Sequence, residues 1–170
     1  YPEASSTCET KKIISVGRLD EQKGYDMLID AWETVHKQHP DWKIIIYGNG
    51  ELHDILKYAI IQKHLEDSFI LHEPVKDIMN QYLDSSIYVM SSRFEGFGMV
   101  LAEAMACGVP CISFDCPYGP SDIIKDYVDG LMVENGNVVQ LAQKISELIE
   151  QEAIRKRMGQ PVSYTHLRAH

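Results

Sequence analysis

Short, continuously apolar runs recur along this chain, and they limit its fold more than any other feature. "KKIISVG" from Lys11, "DWKIIIYGNG", "SFILHEP", "IYVMSS", "VPCISFD" and "GLMV" each read as a buried strand bounded by turn residues. Between them lie segments with helical spacing. "YDMLIDAWETVHKQH" places Tyr25, Leu28, Ile29, Trp32 and Val35 on one face, and Pro40 stops it. "ELHDILKYAIIQKH" does the same with Leu52, Ile55, Leu56, Ala59 and Ile60. "KDIMNQYLDSS" reads as a short helix, "PSDIIKD" opens with a helix cap, and "NVVQLAQKISELIEQ" is a last amphipathic helix. Strands that are apolar on both faces and alternate with helices predict a parallel sheet covered by helices on both sides, a Rossmann-like α/β domain.

In such sheets ligands bind beyond the carboxyl ends of the strands, where the strand order reverses. The loops expected there are "VGRLDEQKG", "YGNGE", "SSRFEGFG" and "DCPYGPS", all bearing glycine. In the first, Arg18 and Lys23 are two cations flanked by Gly17 and Gly24. A guanidinium fork and an ammonium point charge suit a diphosphate, although two solvated loop cations would read the same way. In the second, Gly48 and Asn49 suit either a tight turn or backbone contact to a base or sugar. In the third, Gly96 and Gly98 present backbone N–H groups at a helix start. Glu95 precedes them, and Glu103 falls about 8 Å along the helix at ~1.5 Å per residue. A helix start by itself attracts one acid. Two acids at this spacing suit the two ends of a nucleotide sugar, hexose hydroxyls at one and ribose hydroxyls at the other.

A chain of 170 residues with 45% hydrophobic and 24% charged residues fits one globular domain. Its formal net charge of −9 argues against a nucleic-acid partner. No apolar run reaches the roughly 18 residues of a membrane span, and the opening "YPEASSTCETKK" is no secretory signal. Cys8, Cys107, Cys111 and Cys116 form no C-x-x-C pair, which predicts reduced thiols in a cytoplasmic protein rather than a zinc site. Residues 1–10 read as a linker or N-terminal edge, 11–158 as the nucleotide-sugar-binding domain, and 159–170 as an irregular tail foreign to the fold. Arg155, Lys156 and Arg157 suit a helix C-terminus. The missing initiator Met suggests a fragment of a longer protein.

The stretch "SSRFEGFGMVLAEAMACGVPCISFD" resembles the E-x7-E signature of the retaining glycosyltransferases of family 4. "VGRLDEQKGYDMLIDAW" is similar to the G-R-L-x-x-x-K-G segment of that family, and "DCPYGPSDIIKDYVDGLMV" to its donor loop. The resemblance runs from about Lys11 to Glu152 and is strongest to bacterial enzymes that build surface polysaccharides from UDP-hexoses. It implies the C-terminal, donor-binding half of a GT-B fold. It assigns the donor diphosphate to Arg18 and Lys23, the donor sugar to Glu95 and the ribose to Glu103. It brings the backbones of Phe97, Gly98, Met99 and Val100 to the sugar and phosphates, and Val75 in "HEPVKD" to the base. The family's Gly before that last turn is replaced by "HEP" here, and its Ala-Asp by Ser in "SSIYVMSS".

The resemblance further implies hexosyl transfer with retained configuration. Arg18, Lys23 and the helix start would stabilise the departing diphosphate. Glu95 positions the sugar or, alternatively, attacks it as a nucleophile. No cofactor and no metal are expected, since no D-x-D cluster is present. The acceptor site, and any peripheral membrane association, would belong to an N-terminal domain outside this chain. Two other readings stay open from the residues: a nucleotide-binding module without catalysis, and half of a sugar-nucleotide epimerase. A dinucleotide oxidoreductase is disfavoured, because no G-x-G-x-x-G follows the first strand.

Overall fold

The structure is a computed structural model and describes residues 4–96 and 98–160. The chain runs β1 (Lys12–Val16), α1 (Tyr25–Gln38), β2 (Lys43–Tyr47), α2 (His53–Gln62), β3 (Phe69–His72), α3 (Ile78–Leu83) and β4 (Ile87–Met90). It continues with α4 (Met99–Ala106), β5 (Cys111–Phe114), α5 (Pro120–Ile123), β6 (Gly130–Val133), α6 (Val138–Glu150) and α7 (Glu152–Gly159). Every expected strand is present. All six join one parallel sheet in the order β3-β2-β1-β4-β5-β6. The order reverses between β1 and β4, where the chain leaves one half of the sheet for the other.

The apolar strands are buried on both faces, as continuous hydrophobic runs require. On one face Ile13, Ile44, Ile46, Ile87, Val89, Ile112 and Leu131 pack under α1, α2, α6 and α7. Trp32 of α1 is fully buried there and donates its indole N–H to Ser68 Oγ at 3.0 Å. On the other face Ile14, Tyr88, Met90 and Cys111 pack under α3 and α4 through Tyr82, Leu101 and Ala104. Burying one such large side chain contributes about 1.5–3 kcal/mol.

Two expectations need correction. Ile55, placed on the buried face of α2, is 65% exposed; the helix buries Leu56 and Ile60 and turns Ile55 to solvent. No side chain caps α5: Gly119 is its N-cap and Pro120 its first residue. The last amphipathic helix expected from "NVVQLAQKISELIEQ" is present as α6, which ends at Glu150; a further helix, α7, follows it and was not expected.

Lys156 and Arg157 do lie in the last turn of α7, but Arg155 is buried. Its guanidinium donates to Leu148 O and Ile149 O at 2.8 and 2.9 Å, and through Nε to Cys8 O at 2.9 Å. It thereby satisfies carbonyls that the end of α6 leaves open. It also lies over the Trp42 ring, 5.2 Å from the centroid. The N-terminal edge is packed as well: Cys8 is buried, and Ser6 N–H donates to Cys107 O at 2.8 Å. Of the irregular tail expected at 159–170, Gly159 is the last residue of α7 and Gln160 its C-cap, while residues 161–170 lie outside the described residues.

Candidate functional site

Four loops leave the carboxyl ends of β1, β2, β4 and β5, and backbone contacts bind them into one surface. The β1 and β2 loops meet where Leu19 N–H donates to Asn49 O at 2.8 Å. A side chain at Gly48 would put its Cβ 1.9 Å from Gly17 O, so this crossing admits only glycine. The β1 and β4 loops meet at Gly24, whose φ is +64°, with Ser91 O lying where a Cβ would be. Ser91 Oγ donates to Lys23 O at 2.9 Å, and Arg93 N–H donates to Gln22 O at 2.8 Å. The β4 and β5 loops meet where Glu95 N–H donates to Pro117 O at 3.2 Å.

Lys23 and Glu95 face each other at the reversal point between β1 and β4. Lys23 Nζ lies 2.6 Å from Glu95 Oε1 and 3.1 Å from Oε2. Ser92 Oγ donates to Oε1 at 3.0 Å. The Glu95 side chain is 6% exposed and that of Lys23 20%, so the pair is largely withdrawn from water. Glu95 is therefore no mere helix-dipole partner; its carboxylate is held by a cation and a hydroxyl in front of α4. The Cys116 thiol belongs to the same wall. Burial, with the Glu95 charge second, pushes its pKa up to about 11.

Arg18 sits on the same loop as Lys23 with its guanidinium exposed, 3.9 Å from Asp20. Gly96 is exposed beside Glu95, and Gly98 is the N-cap of α4. Met99 is 65% exposed, whereas Val100 packs partly into the core. Glu103 stands exposed on α4, while Leu101 and Ala104 of the same helix are buried; this is how an acid fits inside an apolar run. Its charge reaches the buried Tyr82 phenol, whose pKa is raised by burial first and by Glu103 second.

Two further expected donor residues lie on other loops. Val75 lies in the β3–α3 loop, partly buried against the core under α3. Asn49 is exposed and contributes its carbonyl to the loop crossing. Phe97 lies outside the described residues.

Two contributors escaped the sequence reading. Ser92 holds Glu95; its spacing of three residues before an acid was the available signal. Arg93 braces the loop through a fork on Asp26, with Nη1–Oδ1 at 3.0 Å and Nη2–Oδ2 at 2.7 Å, and through Nη1 on Glu21 O at 2.6 Å. Burial pushes Asp26 upward, but the Arg93 fork overrides it and holds the carboxyl below its usual range. Among the described residues no cluster of three or more His, Cys, Asp or Glu side chains could hold a metal ion, and no helix is long and apolar enough to cross a membrane.

This geometry offers an enclosed cation paired with an acid in front of a glycine-bearing helix start, an exposed cation on the same loop as the first, and a second acid exposed on the helix. The family model described as "Glycosyl transferases group 1" matches residues 4–162. The chain belongs to the group 1 glycosyl transferases. The amylovoran biosynthesis glycosyltransferase AmsD of Erwinia amylovora is 40% identical over 149 residues, 88% of this chain. The chain spans 41% of that relative's length. A Staphylococcus aureus TarM mutant, solved with fondaparinux, alpha-GlcNAc-glycerol and UDP, superposes with a TM-score of 0.87 at 29% identity. That match covers 98% of this chain and 35% of TarM. The C-terminal domain of the group 1 glycosyl transferase LpcC from Francisella tularensis matches with a TM-score of 0.82 at 28% identity. It covers 94% of this chain and 86% of that one. These likenesses establish the expected fold for this glycosyl transferase domain, the Rossmann-like C-terminal half of a GT-B enzyme.

Proposed function

We propose that this chain is the donor-binding half of a retaining hexosyltransferase of family 4 that uses a UDP-sugar and a glycan or lipid-linked acceptor. The observation that carries the reading is the Lys23–Glu95 pair at the reversal point of the sheet, with Arg18 open on the same loop. Arg18 and Lys23 take the diphosphate, Glu95 the hexose hydroxyls and Glu103 the ribose. In the reaction the bond from the anomeric carbon to the diphosphate breaks and a bond to the acceptor oxygen forms, and the acceptor hydroxyl's proton passes to the departing diphosphate oxygen. Negative charge grows on the leaving diphosphate, and fixed cations there lower the barrier. Glu95 already holds two partners, which fits a positioning carboxylate better than a free nucleophile.

UDP bound to TarM, a protein of the same fold at 29% identity, supports the choice of nucleotide. The acceptor site falls to the half of the parent that lies outside this chain, so the chain alone binds donor and transfers nothing. Calorimetric titration with UDP, GDP and ADP, then with their sugar conjugates, tests the reading. UDP should bind most tightly; no binding of any nucleoside diphosphate would remove it.

A further inference from the structure

Lys23 and Glu95 are assigned to different parts of the donor, yet in this structure each is the other's partner. The ammonium spends two of its three N–H groups on the two oxygens of Glu95. Contacts outside the pair itself hold the two loops together. Ser91 Oγ on Lys23 O, Arg93 N–H on Gln22 O and Arg93 Nη1 on Glu21 O staple the two loops together, although the paired residues lie 72 positions apart.

A diphosphate that takes more of Lys23 than its third N–H must draw it from Glu95. The carboxylate, 6% exposed, would keep Ser92 Oγ alone. A buried charge stripped of its partner is strongly unfavourable. A ligand bearing a hexose supplies replacement hydroxyls to Glu95 in the same event; a bare nucleoside diphosphate supplies none.

We infer that Glu95 is an internal competitor for Lys23, which makes the site favour the intact nucleotide sugar over the spent nucleoside diphosphate. Once the sugar has left for the acceptor, Glu95 retakes Lys23 and weakens the hold on the nucleotide. This rests on the donor-site reading above.

The test is calorimetric titration of this chain with UDP and UDP-glucose, comparing wild type, Glu95→Gln, Ser92→Ala, Glu21→Gln and Arg18→Ala. Glu95→Gln should bind UDP several-fold more tightly than wild type and UDP-glucose more weakly. Ser92→Ala leaves Glu95 leaning harder on Lys23, so it should bind UDP more weakly, with a smaller loss for UDP-glucose. It removes one hydroxyl and serves if Glu95→Gln fails to fold. Glu21→Gln removes one negative charge from the same loop without touching the pair, and should gain little. Equal gains from Glu21→Gln and Glu95→Gln would reduce the effect to net charge and overturn the proposal. So would UDP binding that Arg18→Ala weakens but Glu95→Gln leaves unchanged or weaker, with the donor site still standing. Wild type that binds no nucleoside diphosphate would take away the donor site itself, and the competition with it.

Discussion

Lys23 and Glu95 form a two-point ion pair, 2.6 and 3.1 Å, across the cleft between the first and fourth strands of a parallel sheet. The pair couples two loops, and it separates the roles of the two cations. Lys23 is enclosed and paired with Glu95; Arg18, on the same loop, is exposed and free of such a partner at hydrogen-bond distance among the described residues.

Arg18→Ala and Lys23→Ala should therefore differ. Both should weaken UDP by about 1.5–3 kcal/mol, the range for charge-assisted hydrogen bonds. Only Lys23→Ala should also lower the melting temperature, because it leaves Glu95 buried and unpaired. Adding Glu95→Gln to Lys23→Ala should recover part of that loss. Thermal denaturation and calorimetry of the four proteins check this; equal melting temperatures for the two single variants would contradict it.

The Arg93–Asp26 fork braces the loop that carries Glu95. Asp26 titrates below its usual value of 3.8, so the fork stabilises the fold above that pH and loses its effect as pH falls through the lowered pKa. Arg93→Met should be less stable than wild type at pH 7, and the gap should narrow in acid to what the Glu21 O contact contributes. Urea denaturation at pH 7 and at pH 2.5 measures it, and a gap that persists undiminished in acid would assign the loss to packing.

The four cysteines should behave as inert thiols. Burial raises Cys8, Cys107, Cys111 and Cys116, Cys116 to about 11, so little thiolate forms near neutral pH. Alkylation of the native chain at pH 8 should be slow, and denaturant should release all four. Rapid labelling of one cysteine in the native chain would expose a local opening that this packing does not contain.

If Arg18 and Lys23 meet the diphosphate charge, chelation should not matter. UDP affinity measured with EDTA should equal that measured with Mg²⁺ or Mn²⁺. A large loss on chelation would bring a metal ion into the donor site.

The fold was readable because its strands are apolar on both faces, a pattern that parallel sheets impose and helices rarely copy. The helices were harder. Ile55 continues the apolar spacing of α2 but lies just off the side that meets the core. The end of α6 was legible but α7 was not; its Arg155 reaches back to the carbonyls of Leu148 and Ile149, a contact with no periodic trace. The site divided in the same way. Arg18, Lys23, Glu95 and Glu103 announced themselves through charge near glycine-bearing turns. The pairing of Lys23 with Glu95 did not, because it spans 72 residues and follows from the strand order.

The central claim is that Glu95 and Glu103 hold opposite ends of one donor. The most direct measurement is the affinity of Glu95→Gln and Glu103→Gln for UDP and for UDP-hexose, in this chain and in its full-length parent. Glu103→Gln should weaken both ligands alike, by about 1–3 kcal/mol, because both carry the ribose. Glu95→Gln should weaken UDP-hexose alone. If Glu95→Gln weakens UDP as much as UDP-hexose in the parent, Glu95 does not hold the sugar, and the two-ended grip is wrong.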